Sequence, residues 1–377
     1  MVSLARTTLL REFKTFAPAI FAIAFSGLLV LIQLGLLLGM FDALTITLEA
    51  SSAQFWLGYR DTPSVDMGRP IPERYRWIAL SHPDILRAEP ITMSYLDWRS
   101  PGGRRLTVYL FGVDASPEGL AYDRILSGDR RQALQRPLSV LVGNADLGRL
   151  HAAPGTRGEV NDREVYLAGT LDTPRGMGAA TLYASLQNAR RLDPLLQGAE
   201  GSAAFFLLRA RPGAPLDRVE ADLRHLGNRY GFSVWSSQDL AWRSMGYWLA
   251  ESGAGTGVAF SSLLGLLVGA VITSQTLAGT ILALLKEYAT LRALGVSLKS
   301  LRRVVLEQSF WVWLAGLLLT VGGGLLAGAA ARRWDVALDL HPLLFALTGI
   351  LTLLIALFSG LRALKTLYQA DPALLLR

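Results

Sequence analysis

Cysteine is absent from the 377 residues, which excludes disulfides, thiol nucleophiles and cysteine-based metal sites. Charge is also scarce, at 18% of residues against about 25% in a soluble domain. The histidines are His82, His151, His225 and His341, scattered without the spacing of metal ligands. No G-x-x-x-x-G-K-[ST] run occurs, so this chain is not expected to bind ATP through a P-loop. H-E-x-x-H and G-x-S-x-G are missing too. No catalytic residue, metal site or bound cofactor is therefore expected in this chain. Lysine is confined to Lys14, Lys286, Lys299 and Lys365, so the whole middle of the sequence has none.

Apolar residues are plentiful, at 51%. A membrane helix needs roughly 20 of them in succession to cross about 30 Å of hydrocarbon. Four stretches qualify, at 16–41, 258–285, 304–331 and 343–361. The first is preceded by Arg6, Arg11 and Lys14 in the manner of a secretory signal. It far exceeds the roughly 7–15 apolar residues of a signal core and has no small-residue cleavage site after it. It reads as an uncleaved anchor. Asp and Glu are nearly missing from the spans, apart from Glu307, which argues against an ion-coupled pump.

Orientation follows from the basic residues that flank the spans. Lys286, Arg292, Lys299, Arg302 and Arg303 lie between the second and third spans, and Arg362, Lys365 and Arg377 follow the fourth. Arg332 and Arg333, in the only other short connection, are offset by Asp335 and Asp339. Both termini are thus expected in the cytoplasm, with 42–257 on the opposite side. The net charge of +7 is of the kind that flanks membrane spans, and nucleic acid is not expected as a partner.

The fold class expected is a membrane α-helical protein of four transmembrane helices, with a large α+β domain outside the cytoplasm inserted between helices 1 and 2. In chain order this gives a tail (1–15), helix 1 (16–41), the outer domain (42–257), helix 2 (258–285), a cytoplasmic loop (286–303), helix 3 (304–331), a short outer loop (332–342), helix 4 (343–361) and a second tail (362–377). Within the soluble part, 91–99 and 104–113 alternate around Pro101-Gly102-Gly103, and 159–160 and 164–171 flank Asn161-Asp162-Arg163. Both patterns predict hairpins. An apolar strand at 203–210, helical spacing at 216–226 and a strand at 232–235 follow. Trp235, Trp242, Tyr247 and Trp248 read as an interfacial aromatic belt, with a lipid-handling surface as the alternative.

Gly35 with Gly39, Gly265 with Gly269, and Gly324 with Gly328 each form G-x-x-x-G, which permits close helix approach within one subunit or at a dimer seam. Gln33 and Gln275 put amides at membrane depth, where they serve helix–helix hydrogen bonding. In the cytoplasmic loop, Leu291, Leu294, Leu298 and Leu301 recur at helical spacing, and Gly295 is placed to break the helix.

The run from Glu287 to Gly295, E-Y-A-T-L-R-A-L-G, resembles the signature of FtsX/MacB-type ABC transporter permeases, type VII, and is most similar to the DevC-like branch. Gln33-Leu34-Gly35 in the first span, Val268-Gly269 to Gln275 in the second, and Ala370-Asp371-Pro372-Ala373 near the C-terminus add to the resemblance. It implies a homodimeric exporter permease in the bacterial inner membrane, with 42–257 as a periplasmic α+β domain and 332–342 as a short periplasmic loop. Its partners would be an ABC ATPase subunit, a periplasmic adaptor (membrane fusion) protein, a TolC-like outer-membrane protein and membrane lipids. About 15 residues precede the first span, so the ATPase, with its ATP and Mg, is expected on a separate chain. Lys286, Glu287, Tyr288, Leu291, Arg292, Leu294 and Gly295 would couple to it. ATP-driven motion would then expel a lipid, glycolipid or drug-like substrate from the periplasm. The alternative is an FtsX-like regulator of a periplasmic cell-wall hydrolase.

Overall fold

The structure, a computed structural model, describes residues 13–176, 178–197, 201–283, 297–334 and 336–369. Its main elements run α1 (Phe13–Glu49), β1 (Phe55–Tyr59), α2 (Arg74–Leu80), β2 (Ile85–Arg99), β3 (Arg105–Val113), α3 (Gly128–Gln135), β4 (Ser139–Gly143), β5 (Arg157–Val160), β6 (Arg163–Leu171), β7 (Ala180–Ser185), α4 (Leu186–Leu192), β8 (Phe205–Ala210), α5 (Leu216–Tyr230), β9 (Phe232–Ser236), α6 (Ser237–Gly246), α7 (Ala254–Ala283), α8 (Leu298–Arg333) and α9 (Pro342–Gln369). The chain divides into a helical unit (1–38, 256–333 and 338–377) and an α/β unit (39–255 and 334–337). One boundary between them falls inside α1.

Helices α1, α7, α8 and α9 of the helical unit are each long and apolar enough to cross a membrane. They meet through small residues. Ser26 Oγ of α1 donates to the Gly265 carbonyl of α7 at 2.9 Å, and a Cβ added at Gly265 would lie 2.7 Å from Leu29 Cδ2. On α8, Thr320 Oγ1 donates to the Ala24 carbonyl at 3.3 Å, and Gly316 leaves room for Ile23. Trp313 Nε1 of α8 donates to the Gly349 carbonyl of α9 at 3.0 Å, and Gly360 sits against Ser309. Hydrocarbon offers helices no hydrophobic drive to associate, so packing of this closeness and hydrogen bonds of this kind carry the assembly.

The α/β unit is built on one nine-stranded sheet in the order β3-β7-β4-β6-β5-β2-β8-β1-β9, in which β3 also pairs with β2. That extra pairing closes six strands into a ring, β3-β7-β4-β6-β5-β2, with β8, β1 and β9 extending from the N-terminal half of β2. A closed ring leaves no unpaired edge among its members. The 15 residues of β2 are long enough to serve both parts.

Local sequence accounts for the hairpins. Gly103 takes φ +83°, open to glycine without strain, and its N–H reaches the Ser100 carbonyl at 2.8 Å. Arg99 therefore pairs with Arg105, and the register runs back to Thr92 opposite Gly112. The β5–β6 turn places Asn161 and Asp162 at φ +46° and +60°, the left-handed pair that a two-residue hairpin turn requires. Helix α5 buries Val219 and Leu223, four residues apart, and ends where Gly231 turns left-handed at φ +90°.

Alternation along the ring strands sends side chains to two cores. Val108, Leu110, Val140, Val142 and Leu182 join Trp98 in one. Phe111, Leu141 and Tyr183 join Trp56, Phe205 and Leu48 in the other. A third cluster lies between α5 and the strands β8, β1 and β9, around Phe206, Leu208, Val219 and Val234. Trp235 departs from the aromatic belt expected for it. It lies on β9 opposite Trp56 and is buried in the second core, because the strand alternation of 232–236 turns it inward. Trp242 is 65% exposed.

Candidate functional site

The expected coupling residues Lys286, Glu287, Tyr288, Leu291, Arg292, Leu294 and Gly295 lie outside the described residues. Of the paired glycines, Gly265 and Gly269 face α1, at Leu29 and Ser26 respectively. Gly324 faces Leu31 and Phe345, and Gly328 faces Leu340. Gly35 receives the 338–340 segment, with Asp339 N donating to its carbonyl at 3.1 Å. Gly39 is buried on α1. Gln33 is half-buried and Gln275 exposed.

The α/β unit holds a recess with a cavity volume of about 30 Å³. One wall is the end of α1, with Ala43, Leu44, Ile46 and Thr47; the opposite wall is the β2–β3–β7 face, with Met93, Tyr95, Tyr109, Phe111 and Tyr183. The hairpin register puts Tyr95 directly across from Tyr109, and their rings stack with centroids 4.5 Å apart. Tyr109 meets Phe111 edge-on at 4.7 Å. Phe111 in turn stacks on Tyr183 at 5.5 Å across the parallel β3–β7 pairing. Tyr122, buried at φ +54°, meets Tyr183 edge-on at 4.9 Å and shares a 2.8 Å hydrogen bond with Thr47 Oγ1.

Asp66 stands at this recess, on a short helical turn at Val65–Met67. Its carbonyl accepts from the Tyr109 hydroxyl at 3.1 Å. Its carboxylate Oδ1 accepts from Ser64 Oγ and from Trp248 Nε1, the latter at 3.3 Å. Burial first, and the Asp66 charge second, push the Tyr95 phenol above its ordinary pKa. Burial dominates at Tyr109, with Tyr95 and Asp66 adding to the rise. Tyr183 is pushed up to about 12, mainly by burial.

A strap at 172–176 and 178–179 forms a further side of the recess through Pro174, Gly176 and Ala179. Asp146, fully buried, holds it. Its Oδ2 accepts from Gly176 N at 3.0 Å, Thr181 N at 2.9 Å and Thr181 Oγ1 at 2.8 Å. Arg149 donates to the carbonyls of Gly176 and Gly178. Arg175 spreads its guanidinium between the Ala145 and Val336 carbonyls, each 3.0 Å away. The strap is thereby bonded to the 334–337 connection between α8 and α9.

A second polar cluster orders the loop after β3. Glu89 of β2, 1% exposed, accepts from Leu120 N at 2.7 Å and Ala121 N at 3.3 Å. Arg131 of α3 donates to the carbonyls of Asp114, Ser116, Gly119 and Ala121. Burial raises Glu89 to a pKa of about 7, with Asp114 adding to the rise and the two amides opposing it. Arg87, 3.5 Å away, lowers it least of these groups, and its guanidinium also serves Asp114 at 2.8 Å and Glu118 at 3.0 Å.

None of the recess residues is marked by a motif. Tyr95 and Tyr109 were within reach of sequence reasoning, since counting outward from Pro101-Gly102-Gly103 puts them opposite each other. Asp66, Thr47 and Tyr183 come from distant segments and carried no such signal.

Residues 259–372 match the FtsX-like permease C-terminal domain. The FtsX-like match takes in nearly all of α7 and the whole of α8 and α9, including the segment that joins α7 to α8. Comparison with curated proteins gives no match. Among solved structures, the periplasmic region of MacB from Actinobacillus actinomycetemcomitans is similar at 12% identity and a TM-score of 0.35, over 50% of this chain and 92% of that one. The extracellular domain of the noncanonic ABC-type transporter YknZ from Gram-positive bacteria gives 8% and 0.33, over 48% and 98%. A domain of a putative permease protein from Porphyromonas gingivalis gives 14% and 0.31, over 48% and 88%.

Proposed function

We propose that this chain is the permease subunit of an ABC exporter in the bacterial inner membrane. The FtsX-like match across α7, α8 and α9 carries the reading, and the four apolar helices agree with it. In this proposal α1, α7, α8 and α9 span the bilayer, both termini face the cytoplasm, and the α/β unit stands in the periplasm between the first and second spans. The segment from Lys286 to Gly295 receives motion from a separate ABC ATPase that binds ATP and Mg. A homodimer passes that motion to the α/β units, which expel a lipophilic substrate through an adaptor and an outer-membrane duct.

The test is a gentle detergent pull-down of the tagged chain from its native cells, with partners identified by mass spectrometry. A P-loop ATPase recovered with a periplasmic adaptor upholds the exporter. An ATPase recovered with a cell-wall hydrolase and no adaptor replaces it with the FtsX-like regulator. Recovery of no ATPase from a preparation that retains the intact chain refutes both.

A further inference from the structure

We propose that the aromatic recess of the α/β unit binds an organic ammonium ion carrying an apolar group, with Asp66 as its counter-charge. The inference deepens the exporter reading by naming a ligand chemistry, but the site itself needs no ATPase.

Three observations converge on a cation. The recess is walled by stacked and edge-on aromatic rings, which hold positive charge over their faces through the ring quadrupole. Tyr95, 57% exposed, stacks on Tyr109 and leaves a face for an arriving group. Asp66 supplies a negative charge at the same place, and among the described residues no Arg, Lys or His pairs with it. Its hydrogen bonds, from Ser64 and Trp248, are both to Oδ1; a neutral donor on one oxygen orients the carboxylate and leaves the charge uncompensated. Other carboxylates of this unit are differently placed. Asp146 is saturated by three donors on one oxygen and approached by Arg149 at 3.4 Å on the other, and Asp114 is paired with Arg87.

Chemistry narrows the ligand further. Among the described residues an inorganic cation would find a single carboxylate and no cage of oxygens, whereas hard cations take six or more oxygen ligands. An anion would meet Asp66 and the negative faces of the rings. A neutral hydrocarbon would have to displace water from a charged carboxylate without returning a partner to it. An alkylammonium or aryl-alkylammonium ion satisfies both sides, with its methyl or methylene groups on Tyr95 and Tyr109 and its charge toward Asp66. A recess of about 30 Å³ is too small to take in an alkyl chain, so the ammonium group sits at its mouth and the apolar remainder extends outward.

The experiment is equilibrium dialysis of benzyltrimethylammonium against the full chain in uncharged maltoside micelles. Benzylsulfonate serves as the anionic counterpart. Wild type is expected to bind the ammonium ion saturably and the sulfonate not at all. Asp66→Asn and Tyr95→Leu are each expected to weaken binding about tenfold or more. Tyr95 is exposed, so its variant folds even if loss of the Asp66 charge were to disturb the Ser64–Trp248 contacts. Added phosphatidylcholine distinguishes two sources of the same chemistry. Displacement of the probe assigns the site to a choline lipid headgroup, and no displacement assigns it to a free organic cation. Equal binding of the sulfonate, or undiminished binding in both variants, overturns the proposal. Loss of binding alongside normal recovery of an ATPase would sink this site alone; binding retained without any ATPase would sink the exporter alone.

Discussion

Replacing Glu89 with glutamine should change how stability depends on pH. The carboxyl is 1% exposed, and its pKa rises from 4.5 to about 7. A raised folded-state value means that the native state prefers the protonated acid. Its favourable contribution is complete below the unfolded pKa of 4.5 and is lost as pH climbs through 7. The difference of about 2.5 units, at about 1.4 kcal/mol each, amounts to about 3 kcal/mol between pH 4 and pH 8. The amide of the variant cannot ionise, so this dependence disappears. Its carbonyl keeps one of the two amide hydrogen bonds from Leu120 and Ala121, and loss of the other costs about 1 kcal/mol. Glu89→Gln should therefore be slightly less stable than wild type at pH 5 and more stable, by about 2 kcal/mol, at pH 8. Thermal unfolding of the full chain in detergent, followed by near-ultraviolet circular dichroism from pH 5 to 8.5, reads the crossing directly. Other groups titrate in the same range, so the difference between the two proteins is the quantity that matters. Parallel curves, with one offset at every pH, would refute the burial argument.

Two further outcomes follow from the packing and a third from the proposed function. Gly269→Leu drives a side chain into Ser26 of α1 and should destabilise the helical unit by about 1–3 kcal/mol, seen as a lower midpoint in detergent while Gly279→Leu, in open space, leaves it unchanged. Asp146→Ala strands the N–H groups of Gly176 and Thr181 and should cost about 3 kcal/mol or more; hydrogen exchange should show 172–181 losing protection first. Glu287→Ala and a bulky residue at Gly295 should uncouple ATP hydrolysis from transport while leaving membrane insertion intact, and normal export by both variants would remove this segment from the coupling role.

The parts of the fold legible in the sequence are those whose signal is local. The four apolar helices announce themselves by composition, because nothing else in a water-soluble chain requires such runs. The β2–β3 and β5–β6 hairpins were marked by turn residues between alternating segments. Strands β1, β4 and β7 were missed for a definite reason. Their residues are buried on both faces almost throughout, so they have no period of two to detect. The β2–β8 ladder joins segments more than a hundred residues apart, the β2–β5 and β3–β7 pairings of the ring join segments sixty or more apart, and no turn chemistry encodes such pairings. Trp235 shows the opposite error. Grouped by sequence with Trp242, Tyr247 and Trp248, it suggested a surface belt, but its neighbours along the strand turn it into a core. The recess repeats the lesson at the scale of function, since Asp66 is an ordinary aspartate until β3 folds across it.

The boundary of the α/β unit inside α1 bears on how such a unit could be cut out or exchanged between proteins. Leu48 and Ala50 complete one of its cores, and Thr47 provides the partner for the buried Tyr122 hydroxyl. A graft beginning at the first strand, Phe55, would carry an open recess and a hydroxyl stranded away from water. The transferable piece begins at least two turns earlier, within a helix whose other end is built for lipid. Insertions and deletions at this junction are therefore constrained by two solvents at once, and a swap that respects only the strand boundaries should yield insoluble protein.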